Sequence, residues 1–302
     1  MNIFIIGMLG LILLLVIYYF PPPTASFKNI YAKVSAKQRS SLDTFRSDCD
    51  LRDININSIK WKYLVTGTGD KTIVFLHGMA GGYDIWWQQI NHFKTNCRVI
   101  SLTYPPINNL ADLSASVIAI LDKEMVENVN FVGSSLGGYF AQYLVKNNPD
   151  RIEKAVFANT FPPNHIISKK ADRFSKILPL LPEWVIMRNL RQTTANAIYP
   201  ASGNSELVGA YMMEQSCGMM SKAQFTARLN CVLDYFEPPD IVKLGIPALI
   251  IESDNDPLVS EELRELLKSC YPSAQVEALH QKGHFPYLNT PREYNRILEK
   301  FL

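Results

Sequence analysis

Apolar and polar positions divide the 302-residue chain into three stretches. From Ile3 to Phe20 no residue is charged, and apolar positions run all round the helix such a stretch would form. That pattern suits lipid better than one face of a protein core. Eighteen residues at a helical rise give a length of about 27 Å, near the thickness of a bilayer's hydrocarbon. Tyr18 and Tyr19 close the run, where amphipathic rings favour an interface. Pro21, Pro22 and Pro23 then stop the helix, since proline lacks an N–H and clashes with the preceding turn. The sequence therefore predicts an uncleaved transmembrane anchor in residues 1–23. A cleaved leader fits less well, because no Lys or Arg precedes the run and the run is long. Lys28, Lys33, Lys37, Arg39 and Arg46 all follow it. The positive-inside rule then predicts a single-pass membrane protein whose large domain faces the cytoplasm.

Residues 24–56 are mixed and polar and read as a juxtamembrane segment, with a helical stretch from Ala32 to Arg46. From residue 57 short apolar runs alternate with helical spacing. Ile59–Thr66, Thr72–Leu76, Arg98–Leu102, Val129–Val132 and Ala155–Ala158 read as strands. Asp84–Phe93, Leu110–Val126 and Tyr139–Asn147 read as helices between them. The alternation lapses at about 161–237, a helical stretch rich in Met, Leu and aromatics, and resumes with strands at Pro247–Ile251 and Gln275–Leu279. Helices at Glu261–Ser269 and Arg292–Phe301 complete the pattern. Such alternation predicts an α/β fold with a doubly wound, mostly parallel sheet. Residues 57–302 form that domain, and 161–237 insert into it as a helical cap.

Charge and cysteine content change little. A net charge of +2 gives no electrostatic footprint for nucleic acid. Cys49, Cys97, Cys217, Cys231 and Cys270 are scattered and odd in number, with no spacing of a bridge framework or zinc site.

The candidate chemistry sits at strand ends. Gly133-Ser134-Ser135-Leu136-Gly137-Gly138 follows an apolar run and opens a helical one, the setting of a nucleophile elbow. The turn is sharp, so Gly133 and Gly137 flank the nucleophile, Ser135. A tetrahedral acyl intermediate needs two N–H donors. Leu136, directly after the serine, is one. The other is expected from the loop after Thr72–Leu76, where His77-Gly78-Met79-Ala80-Gly81-Gly82 points to Met79. His77 and Gly78 shape that loop, with His77 in a structural role.

A serine nucleophile also needs a base and an orienting acid, in the order Ser, acid, His. Of five histidines only His280 and His284 follow the last acidic loop. His284, in Lys282-Gly283-His284-Phe285-Pro286, is the expected base; His280 is the alternative. Asp256 leads for the acid, with Asp254 and Glu252 as alternatives in the same loop. The His280/His284 spacing alone does not make a metal site. No cofactor or metal is implied.

The motifs HGMAGG, GSSLGG, DNDPLV and GHFPY, in that order, resemble the α/β-hydrolase superfamily over about residues 57–302. Within it, Arg98–Pro105, Ser134–Gln142, Ala227–Asn230 with Glu237-Pro238, and Phe285–Leu288 look like maspardin and its relatives. The resemblance implies an α/β-hydrolase fold and a serine hydrolase of esterase, lipase or thioesterase type. Maspardin-type proteins keep the serine elbow, depart from the full triad and are thought of as binding or adaptor proteins. The same resemblance therefore also implies a second class, a catalytically weak interaction protein. The first class is favoured because His77-Gly78, Asp256 and His284 stand where those proteins depart. The expected partner is a small-molecule or lipid ester. Together with the expected anchor, the Met-rich cap favours a lipophilic acyl group, because methionine adapts to varied shapes.

Overall fold

The computed structural model describes residues 3–19 and 23–302. Eight strands form one sheet: β1 (Leu51–Ile56), β2 (Ile59–Thr66), β3 (Thr72–Leu76), β4 (Arg98–Thr103), β5 (Val129–Ser134), β6 (Ile152–Ala158), β7 (Ala248–Ser253) and β8 (Gln275–Leu279). Their order is β1-β2-β4-β3-β5-β6-β7-β8. The first two pairings in that order are antiparallel and the rest parallel. Every side chain of β3 and β5 is buried, as the central strands of a sheet covered on both faces require. Two apolar layers fill those faces. One is built around Val74, Leu76, Phe131 and Phe140, the other around Phe75, Trp86, Val132 and Tyr287.

The N-terminus departs from expectation. Its helix spans Ile3–Tyr19, 17 residues. Among the described residues no helix is long and apolar enough to cross a membrane. The expected transmembrane anchor, and the single-pass, cytoplasm-facing placement deduced from it, are overturned, because a charge bias orients a protein only if a span exists. Phe20, Pro21 and Pro22, part of that expectation, lie outside the described residues.

Residues 24–56 do more than connect. A helix at Ala36–Asp48 buries Leu42 and Phe45, and Tyr31 and Val34 join the same apolar layer. Residues 51–56 pair with β2 as the antiparallel edge of the sheet. Their alternating burial is weak, which hid this strand in the sequence.

Residues 161–237 contain helices at His165–Ile177, Glu183–Thr193, Glu206–Glu214 and Lys222–Leu233 and no strand. They ride over the C-terminal edge of the parallel strands. Asp234 ties their end to the body: its carboxylate accepts from Leu110 N–H at 2.8 Å, and its carbonyl from the Tyr139 hydroxyl at 2.8 Å.

Candidate active site

Strand β5 ends at Ser134, and the helix Leu136–Asn147 begins two residues later. Ser135 makes the turn with φ 56° and ψ −122°, a left-handed backbone that costs a non-glycine residue on the order of 1–3 kcal/mol. Its N–H donates to the Ala158 carbonyl at 2.9 Å, and its carbonyl accepts from the Thr160 hydroxyl at 2.6 Å. The flanking glycines are needed for close approach. A Cβ on Gly133 would sit 2.1 Å from the Gly137 carbonyl oxygen, and one on Gly137 2.1 Å from that of Leu76. As the first residue of its helix, Leu136 has an N–H without an intrahelical acceptor.

The loop after β3 lies against this turn. A Cβ on Gly78 would stand 3.0 Å from the Ser135 Cβ, so the glycine lets the loop come close without displacing the serine. His77 is fully buried. The Tyr104 N–H donates to its Nε2 at 3.1 Å. Nε2 is therefore the acceptor and Nδ1 carries the hydrogen, which it donates to the Gly78 carbonyl at 2.7 Å. Burial, together with the nearby Arg228 guanidinium, holds His77 well below the usual histidine range. It stays neutral and braces the loop.

Asp256 and His284 meet in the interior. His284 Nδ1 lies 2.9 and 2.8 Å from the two Asp256 oxygens. Both side chains are almost wholly shielded from solvent. A carboxylate only accepts, so Nδ1 bears the hydrogen and Nε2 keeps its lone pair. Asp256 also accepts from the N–H groups of Leu258 and Val259 at 2.8 and 3.1 Å. Burial opposes its charge, but His284, Asn159 and the Leu258 N–H outweigh that and hold the carboxyl below its usual range.

The alternatives lie elsewhere. Asp254 pairs with His280 at the exposed surface, and Glu252 is bound by Lys268 at 2.9 Å. His280 and His284 thus point to different partners.

A cavity of about 300 Å³ brings together Ser135, Gly78, Met79, His284 and Phe285. Cap residues Ile167, Leu190, Met212, Met220, Phe225 and Val232 make its walls largely apolar. Of the cap's other apolar residues, Leu178, Ile186 and Met187 pack within the cap, and Ile177, Leu180 and Met219 are exposed.

One residue that sequence reasoning missed is Asn159. It sits just past β6 with φ 43°. Its Nδ2 reaches Asp256 Oδ2 at 3.0 Å and the Gly283 carbonyl at 3.3 Å. It thereby links the acid to the loop that carries His284. The available signal was its place at a strand's C-terminal end beside the nucleophile strand, where open α/β sheets bind ligands.

A family model described as the alpha/beta hydrolase fold matches residues 71–196. Maspardin of Danio rerio is 26% identical over 267 residues, covering 84% of this chain and 83% of its own. The esterase YbfF of Escherichia coli is 22% identical over 252 residues, covering 76% of this chain and 92% of its own. A hydrolase from Pseudomonas aeruginosa has a similar structure, with a TM-score of 0.74, 20% identity, and coverage of 83% of this chain and 98% of its own. At that identity the likeness is one of fold.

Proposed function

Since the chain is a member of the α/β-hydrolase superfamily that resembles maspardin, we propose that it hydrolyses a carboxylic ester or thioester of an apolar acyl group, with Ser135 as nucleophile, His284 as base and Asp256 as its orienting acid. The observation that carries this is the buried His284–Asp256 pair, 2.8 Å apart, whose histidine lines the same apolar cavity as Ser135.

The chemistry follows from the protonation pattern. Ser135 Oγ attacks the acyl carbon and passes its proton to His284 Nε2. Asp256 keeps Nδ1–H in place and stabilises the imidazolium. The carbonyl oxygen becomes an anion held by the N–H groups of Leu136 and Met79, at the N-terminus of the helix Leu136–Asn147. The intermediate collapses, and the leaving alkoxide or thiolate takes the proton from His284. Water then loses a proton to His284 and attacks the acyl-serine. The second intermediate releases the acid as Ser135 recovers its proton. The apolar walls favour an acyl chain over a polar one.

A fluorophosphonate probe tests this. Labelling of the wild type that disappears in Ser135→Ala is the expected result. A folded wild type that does not label would overturn it and leave the second reading that the maspardin likeness favours, an interaction protein retaining the fold.

A further inference from the structure

We infer that Arg228, on the cap helix Lys222–Leu233, is a positioning residue that holds the loop after β3 so that the Met79 N–H can serve the oxyanion. The inference rests on the serine-hydrolase reading and extends it to a residue outside the cavity.

Arg228 is a buried cation, 2% exposed. Among the described residues its partners are backbone carbonyls, a thioether and the Tyr104 ring, whose centroid lies 5.9 Å from the guanidinium carbon. Nη1 donates to the Met79 carbonyl at 2.6 Å and to the Gly81 carbonyl at 3.1 Å. The Met220 sulfur lies 3.4 Å from the same nitrogen, and Nη2 donates to the Tyr104 carbonyl at 3.2 Å. Among the described residues its Nε has no hydrogen-bond partner. Burying a guanidinium without a carboxylate is costly. An apolar residue would fill the space better if packing were the only role.

The bonds fall on the peptides that matter. The Gly78 carbonyl is held by His77, and in a trans peptide the Met79 N–H points the opposite way. The next carbonyl, that of Met79, is held by Arg228. Two successive peptides are thus fixed from two sides, one by the core and one by the cap. Tyr104 joins the two braces. Its N–H holds His77, its carbonyl accepts from Arg228, and its ring stacks on His77 at 3.8 Å between centroids. Only a fork of donors spans three carbonyls; a lysine ammonium is a single point. Burial lowers Arg228 to about 10, so the fork stays charged at neutral pH.

Arg228→Lys and Arg228→Met, assayed on p-nitrophenyl esters, test the assignment. The expected result is a kcat about 10- to 100-fold lower, as for a slightly misplaced group, with KM unchanged. The affinity for an alkyl trifluoromethyl ketone, whose hemiketal oxygen needs the same N–H donors, falls by the same factor. If Arg228→Met does not fold, Arg228→Lys decides. Wild-type kcat in the folded variants, or a loss confined to KM, would overturn the role of Arg228 alone. A wild type that fluorophosphonate does not label would instead bring down the hydrolase reading, and this inference with it.

Discussion

Asn159 Nδ2 donates to Asp256 Oδ2 at 3.0 Å, and both side chains are buried. The bond reaches a carboxylate whose pKa lies below its ordinary 3.8. Such a group contributes stability that is full above about 3.8 and is lost as pH falls through the lower folded value. Asn159→Ala raises that folded value. Urea unfolding should show a loss of about 1.5–3 kcal/mol at pH 6, as for a hydrogen bond to a charged group. The gap to wild type should narrow at pH 3. An equal gap at both values would show that Asn159 acts through packing alone.

Two acid–histidine pairs lie in adjacent loops, and only one is buried. Asp256→Asn should lower kcat about 10⁴-fold, through the wrong histidine tautomer. Asp254→Asn and His280→Ala should leave it within about 2-fold, since exposed pairs contribute little. Steady-state kinetics on one ester decides between them. Loss of activity in Asp254→Asn would reassign the acid.

His77 titrates well below its ordinary 6.5, chiefly through burial, with the Arg228 charge adding to it. The neutral form is the folded form, so its stabilisation is full above about 6.5 and declines as pH falls below it. The wild type should lose about 1 kcal/mol per pH unit from this group in that window. His77→Gln keeps a donor without the titration and should flatten that slope between pH 6 and 5 in urea unfolding. An unchanged slope would mean that other groups set it.

Arg46 carries the N-terminal segment into the cap. Nε pairs with Asp84 at 2.6 Å, and the other two nitrogens pair with Glu214 at 2.9 and 2.8 Å. The hydroxyls of Tyr31 and Tyr211 complete the carboxylates at 2.7 Å. Arg46→Met strands two buried anions and should cost about 3–5 kcal/mol, measured by urea unfolding. A cost below about 1 kcal/mol, typical of surface pairs, would show that the network is solvated.

Local pattern alone determined much of this protein. Runs such as Thr72–Leu76, short, rich in β-branched residues and closely followed by glycine, read as strands buried on both faces, and the glycines about Ser135 mark a turn that larger residues would block. The chain order of Ser135, Asp256 and His284 named the candidate site, because each sits in a loop directly after a strand. What needed tertiary structure was everything set by residues distant in sequence. Asp254 and Asp256 are two positions apart and chemically alike; the sequence put Asp256 first, and in the fold Asn159 and His284 pack around it while Asp254 pairs with His280 at the surface. Residues 51–56 become a strand because β2 offers an open edge, and their own alternation is too faint to announce it. Arg228 looks like any charged residue on a helix until the fold buries it against the Met79 carbonyl. The apolar run at the N-terminus fits a lipid span by composition. Among the described residues, however, no helix is long and apolar enough to cross a membrane, since a span needs sufficient helix length as well as apolar composition.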